Sequence, residues 1–257
     1  MENNNNNKNQ INIELTDEIA EGIYSNLAVI AHSPTEFVVD FIKLMPASPK
    51  AKVKSRIILT PQNAKRLYKA LAEKIKQAIN AKYLNKETGI YANGSQTELS
   101  VPLMWGVVPE DCKEKVVKNL AEKVKQAGFH LDVGVLGAKA ILNALSRNGE
   151  FETAYKVAVQ DTYPSWGWWI VNGATTLLEN WDLKATRDIS DNHMMFGEIG
   201  GWFYKGIGGI YPDELKPGFK HIRLEPNFPT ELTHFEAKHD SPQGEIVSSW
   251  KRKGKRL

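Results

Sequence analysis

Cysteine is almost missing from this 257-residue chain, Cys112 being the only one. An internal disulfide is therefore excluded, and so is any cysteine cluster able to hold a metal. Long apolar runs are missing too, since nothing approaches the roughly 20 residues needed to cross a bilayer. The first ten residues, MENNNNNKNQ, carry no apolar h-region, so no secretory signal is read there. They also offer nothing to bury against their ordering entropy, and residues 1–10 are expected to be a disordered tail. Together these absences point to a cytoplasmic chain, although a secreted enzyme without its N-terminus would look the same. Charge of one sign is not in excess either: a net +3 is too small to argue for nucleic acid. Histidines are few, and His32, His221, His234 and His239 have no spacing suited to a metal site. No cofactor is implied.

What is present divides by texture. A hydrophobic fraction of 42% and a charged fraction of 25% are ordinary for a globular chain of one large or two smaller domains. Residues 11–78 read as a small α+β domain. Apolar stretches at Ile11–Leu15, Leu27–Ala31, Glu36–Leu44 and Val53–Leu59 come first, the last two rich in the Phe, Val and Ile that strands prefer. Pro46 and Pro49 separate that pair as a turn would. Thr60 then caps a helix with Pro61 at its first position, where a missing N–H costs nothing. Ala64, Leu67, Tyr68, Leu71, Ala72 and Ile75 follow at helical spacing and predict one buried stripe.

From residue 79 to 212 the pattern becomes repeated helices. Ser95 and Glu98 form a capping box, with Pro102 expected to kink or shorten the helix behind it. Pro109, Glu110 and Asp111 open a helix with a Val117, Leu120, Ala121 and Val124 stripe that ends near Gly128. Ala138, Ile141, Leu142 and Leu145 mark another, stopped by Gly149. Phe151, Ala154, Tyr155, Ala158 and Val159 mark a third, and helical stretches are expected at 171–182 and 192–209. Short loops between helices of similar length imply hairpins. Residues 213–257 turn to strands at His221–Leu224, Thr233–Ala237 and Glu245–Trp250, as at the start of a β-sandwich.

Two stretches concentrate the chemistry: TYPSWGWWIVNGATTLLENW, Thr162 to Trp181, and NHMMFGEIGGWFYKGIGGI, Asn192 to Ile210. They hold five of the seven tryptophans, Trp166, Trp168, Trp169, Trp181 and Trp202, so the rings have a packing or a binding task there. Rings beside Glu179, Asp182, His193 and Glu198 suit a sugar, whose C–H faces pack on aromatics while its hydroxyls need carboxylates and amides. Read from the residues alone, the plainer alternative is favoured, that most of these rings are helix core.

These blocks, with GFHLDVGVLGAKAILNALSRNG and AKYLNKETGIYANGSQTE upstream and PGFKHIRLEP downstream, resemble glycoside hydrolase family 78, the bacterial α-L-rhamnosidases, over residues 76–257. The resemblance implies an (α/α)₆ barrel followed by a β-sandwich, and inverting hydrolysis of terminal α-L-rhamnose. By the same resemblance Glu179 is the general base, and His193, Asn192, Trp166 and Trp168 contact the sugar. An inverting glycosidase needs a carboxylic acid as well as this base, roughly 6.5–9.5 Å apart. The family's acid lies in a motif rich in Asp, Arg, Glu, Gly and Trp, which this chain does not contain. Half of the barrel and the closing sandwich strands are also unaccounted for. The expectation is therefore a partial, truncated rhamnosidase that is inactive alone, with a rhamnose-containing carbohydrate as its family-level partner and self-association through uncovered helix faces. Leu177 and Leu178 stand where bulkier residues precede the family's base, and the Trp181–Asn192 loop is short.

Glu198 is a possible substitute acid, although its family context is helix packing. Asp182, Asp188 and Asp191 read as loop caps or sugar contacts, and His130 as a structural histidine. Residues 11–77 separately resemble a small bacterial domain of unknown function, the class numbered 3467, which names no chemistry and implies a fusion. There Lys50, Lys52, Lys54 and Arg56 alternate, which in an extended strand puts four cations on one face. A nucleic-acid face would need interleaved aromatics and has none, so a solvated or aggregation-blocking face is expected. The alternative to an enzyme-derived chain is a non-catalytic interaction protein acting through this N-terminal domain.

Overall fold

Antiparallel backbone pairing sets the first part of the chain. In this computed structural model, which describes residues 13–46 and 50–254, the molecule divides into two units, Met1–Lys74 and Ile75–Leu257. The expected disordered tail lies outside the described residues, as does part of the Ile11–Leu15 stretch. In the first unit a single turn of helix, α1 (Asp17–Ala20), precedes β1 (Leu27–His32), β2 (Phe37–Lys43) and β3 (Lys52–Leu59). The three strands form one antiparallel sheet in the order β1-β2-β3. Ser33 closes the β1–β2 turn, its hydroxyl accepting from Glu36 N at 3.1 Å. At the other end the Asn26 amide clasps Leu44, donating to its carbonyl at 3.1 Å and accepting from its N–H at 2.8 Å. The long helix α2 (Pro61–Tyr83) starts where Thr60 and Pro61 predict, and the unit boundary falls within it.

Two expectations for this unit need correction. The α2 stripe is not buried: Leu67, Tyr68 and Leu71 remain 45%, 71% and 54% exposed. They line an open groove of about 520 Å³ against Ala28, Ile30 and Phe37 of the sheet, so the helix faces the sheet without closing on it. Nor do the four cations form one row. Lys50 precedes the strand, and the β2–β3 register shifts between Phe41 and Ile42, passing over Lys54. Arg56 is clamped to Asp40 of the neighbouring strand by two bonds of 2.6 and 2.7 Å.

After the last turns of α2, the second unit continues with a two-residue ladder, β4 (Leu84–Asn85) with β5 (Ile90–Tyr91). Next come α3 (Gln96–Met104), α4 (Glu110–Gln126), α5 (Val135–Ser146) and α6 (Phe151–Ala158). Both halves of the Ser95–Glu98 capping box are made, and α3 ends two residues after Pro102. Burying apolar helix faces drives this region. Val116, Leu120 and Val124 of α4 meet Ile141, Leu142 and Leu145 of α5 in a core from which water is excluded.

After α7 (Trp166–Val171) the chain departs from the expected helix at 171–182. Gly173, at φ +88°, takes the left-handed conformation that ends a helix, and the chain runs irregularly to His193. The stretch expected as one helix at 192–209 is instead a 3₁₀ turn (Met194–Phe196), α8 (Glu198–Trp202) and a π turn (Phe203–Ile207). A side chain at Gly206 would collide with the Trp202 indole, so this glycine lets the chain pass over the ring. Trp202 is fully buried, and its N–H donates to Ser146 Oγ at 2.8 Å. Two separate antiparallel pairs follow: β6 (Ile210–Pro212) with β7 (Ile222–Leu224), and β8 (His234–Ser241) with β9 (Gly244–Lys251).

Candidate active site

The irregular chain after α7 earns its shape from the tryptophans beneath it. Trp169 stacks on Trp181 with ring centroids 4.5 Å apart, and Trp166 meets Trp181 edge-on at 5.4 Å. Phe196 closes the group against Trp169 at 5.4 Å and Trp181 at 4.7 Å. Each buried indole N–H in this group finds a backbone carbonyl: Trp166 to Phe196 at 3.1 Å, Trp169 to Asn180 at 3.1 Å, and Trp181 to Val133 at 2.7 Å. Those bonds fix the two segments that carry Glu179 and His193. An irregular segment can be rigid when its carbonyls are taken up this way.

The two segments are also laced directly together. Glu179 N donates to Ser190 O at 3.0 Å and His193 N to Leu177 O at 2.7 Å. The Thr176 hydroxyl donates to the Asp191 carbonyl. Above this lacing the Glu179 carboxylate is oriented from two sides. Its Oε2 accepts from Ser190 N at 3.2 Å, and its Oε1 lies 3.7 Å from His193 Nδ1. Side-chain exposures of 29% for Glu179 and 24% for His193 leave both groups held yet open to solvent. A carboxylate so placed can accept a proton from a water, with the imidazole beside it able to bond a hydroxyl. The same stretch of chain holds a hollow of about 210 Å³, rimmed by Asn180, Asp182, Asp188, Ser190 and Asp191 but lined by neither Glu179 nor His193.

The other sequence-derived residues distribute differently. Asn192 is exposed next to His193. Trp166 is only 4% exposed, packed under the Met194–Phe196 turn with its faces covered. Trp168 is half-buried and edge-on to Tyr163 at 6.1 Å, and its indole N–H has no partner among the described residues. Glu198 is turned to α5, accepting from the Asn143 amide at 3.0 Å with Lys205 Nζ 3.7 Å away. His130 is tied at both nitrogens, to Ala127 O at 3.1 Å and Thr162 Oγ1 at 2.7 Å. Asp182 caps its own turn through Lys184 N at 2.9 Å. No group of three or more His, Cys, Asp or Glu among the described residues could hold a metal. Ser190 was missed by the sequence reading. It acts through a backbone N–H, which side-chain identity does not encode.

The helical core thus holds a carboxylate and an imidazole together over buried aromatic rings, and comparison with known proteins supplies the class. The bacterial α-L-rhamnosidase six-hairpin glycosidase domain matches residues 31–207, beginning inside the first unit, and the bacterial α-L-rhamnosidase C-terminal domain matches residues 209–257. The chain belongs to the bacterial α-L-rhamnosidase family. It is 31% identical over 217 residues to an α-L-rhamnosidase of Formosa agariphila, covering 82% of this chain and 23% of that protein. Among solved structures, Streptomyces avermitilis α-L-rhamnosidase complexed with L-rhamnose superposes with a TM-score of 0.68 at 27% identity, covering 74% of this chain and 19% of that one. The α-L-rhamnosidase of Dictyoglumus thermophilum gives the same TM-score at 38% identity, covering 74% of this chain and 21% of that one. The chain thus spans about a fifth of the length of these relatives.

Proposed function

We propose that residues 79–212 supply the base-bearing half of an inverting α-L-rhamnoside hydrolase site, as half of an (α/α)₆ barrel, with residues 213–257 as the first strands of a β-sandwich and residues 11–78 as a separate small domain. In this reading Glu179 is the general base that takes a proton from the attacking water. His193 and Asn192 bond sugar hydroxyls. Trp168 forms a wall of the pocket, while Trp166 works from beneath by holding the Met194–Phe196 turn. The observation that carries the reading is the Glu179–His193 pair, 3.7 Å apart and fixed by backbone bonds from both segments.

Inversion requires that the bond from anomeric carbon to leaving oxygen break as water adds from the opposite face. The water's proton goes to Glu179, and a second, protonated carboxyl delivers its proton to the leaving oxygen. Glu198 is a poor candidate for that acid, because Asn143 and Lys205 already occupy its carboxylate. The acid belongs to a part of the site that these 257 residues do not supply. General acid catalysis is typically worth about 10²–10⁴ in rate, and lost substrate positioning adds to the deficit.

The 257-residue chain alone is therefore expected to give no detectable hydrolysis of an unactivated rhamnoside, and a trace at most with an activated aryl rhamnoside. Supplying the acid-bearing half barrel of a family member, fused or in trans, should restore turnover, and Glu179→Gln should then lower it by about 10²–10⁴. Turnover of natural rhamnosides by the unaided chain, stopped by Glu198→Gln, would overturn the assignment.

A further inference from the structure

The two edges of the N-terminal sheet are built differently. β3 carries Lys52, Lys54 and Arg56 and an interrupted register, both of which deter pairing with another strand. β1, Leu27–His32, has the sequence LAVIAH, with no lysine, arginine, acid or proline and an unbroken register against β2. Every second backbone N–H and C=O of such an edge points away from its sheet and needs a partner. The side chains say the same: Leu27, Val29 and Ile30 are 38%, 47% and 64% exposed.

We propose that β1 pairs antiparallel with β1 of a second copy of this chain, joining the two sheets into one of six strands about a twofold axis. Self-complementarity singles out this partner. A strand paired antiparallel with itself about an axis perpendicular to the sheet keeps equivalent faces on the same side, and sets one residue opposite its own copy. For six residues centred on Val29 and Ile30, one of these two lies on the axis, and every pair formed is uncharged.

Strand pairing alone is small beside the roughly 800 Å² per partner that a stable interface buries. The groove between sheet and helix adds to it. Its lining includes Ala28 and Ile30 of the same edge, together with Leu67, Tyr68 and Leu71 of α2. Docking two copies at this edge brings both grooves to the interface and gives the α2 stripe the burial its spacing predicts.

The test is analytical ultracentrifugation of the full chain. A dimer is expected, with the Val29→Lys/Ala31→Lys double variant dissociating at least about tenfold more readily. The new lysine at 29 faces Asp40 across the β1–β2 pair, so the single chain tolerates it, and an unchanged far-UV spectrum should confirm the fold. Independently, either Val29→Cys or Ile30→Cys should form a disulfide-linked dimer under mild oxidation, the native Cys112 being buried. A monomeric chain would overturn the proposal, as would one that dimerises only after residues 1–12 are removed. Association unchanged in the double variant, which would lie on the helices of the second unit, would overturn it equally.

Discussion

Among the described residues of 13–74 not one side chain is buried, whereas the second unit packs Val116, Leu120, Val124, Ile141, Leu142, Leu145 and Trp202 out of contact with water. Both regions have well-formed secondary structure, so the difference does not lie in local propensity. It lies in the number of apolar faces available to cover one another. Three strands and part of one helix can form all their hydrogen bonds and still leave their apolar area wet. Three successive helices cannot pack without excluding water. A small domain of this size buries little area and is correspondingly marginal. The helical region carries its own core.

The largest expected effect that tests this contrast is truncation in the helical core. Leu142→Ala should destabilise the second unit by about 2–5 kcal/mol, the loss of transfer energy plus a cavity, read as a shift in its denaturant midpoint. If Leu142→Ala proves mild, the closed core is not what holds that unit.

An intermediate effect is expected at the cap of α3. Ser95→Ala removes the acceptor for Glu98 N and should cost about 1 kcal/mol. Its pH dependence has a definite sign. Hydrogen bonds from Ser95 and Asn93 hold the Glu98 carboxyl below its usual range. A depressed folded pKa contributes stability above the unfolded pKa and loses it as pH falls through the folded one. The deficit of Glu98→Gln should therefore be full at neutral pH and fade as the pH falls below the ordinary carboxylate range.

The smallest effect is expected from Leu67→Ala, which removes a side chain that is 45% exposed. Measured on the monomeric Val29→Lys/Ala31→Lys background, it should cost less than about 1 kcal/mol. In the dimer it should cost more, since the same side chain would then be covered. Equal effects in both backgrounds would separate the helix stripe from the β1 edge.

The elements that sequence placed correctly are those whose signal is local. Thr60–Pro61 starts α2, Ser95–Glu98 starts α3, and Gly149 at φ +86° follows α5. Capping and left-handed glycine are one-turn phenomena, so neighbouring residues suffice to read them. The apolar period of α5 was equally legible, because a 3.6-residue stripe is written in the helix that bears it; in α4 it is Val116 rather than Val117 that is buried, and Val159 lies past the end of α6 and is 48% exposed. The clustered rings drew notice to Glu179, His193, Trp166 and Trp168, but their roles and that of Asn192 came only through resemblance, since nothing local distinguishes a sugar-binding ring from a core one.

Tertiary structure decided the remainder, where the outcome depends on residues far apart in sequence. The apolar run at 171–182 is not helical because Gly173 turns the chain, Trp169 takes the carbonyls of Asn180 and Trp181 onto its indole, and the Trp181 indole donates to the distant Val133 carbonyl. The cations of β3 do not form a row because Asp40, on another strand, takes Arg56 and the register slips beside Lys54. Whether a stripe at helical spacing is buried depends on how many faces reach it. The sequence determined that α2 has such a stripe, and only the three-dimensional arrangement decided that it borders an open groove. The separation of Glu179 and His193 is of the same kind: fourteen residues apart in the chain, they stand 3.7 Å apart because Ser190 and Leu177 lend backbone groups to hold them there.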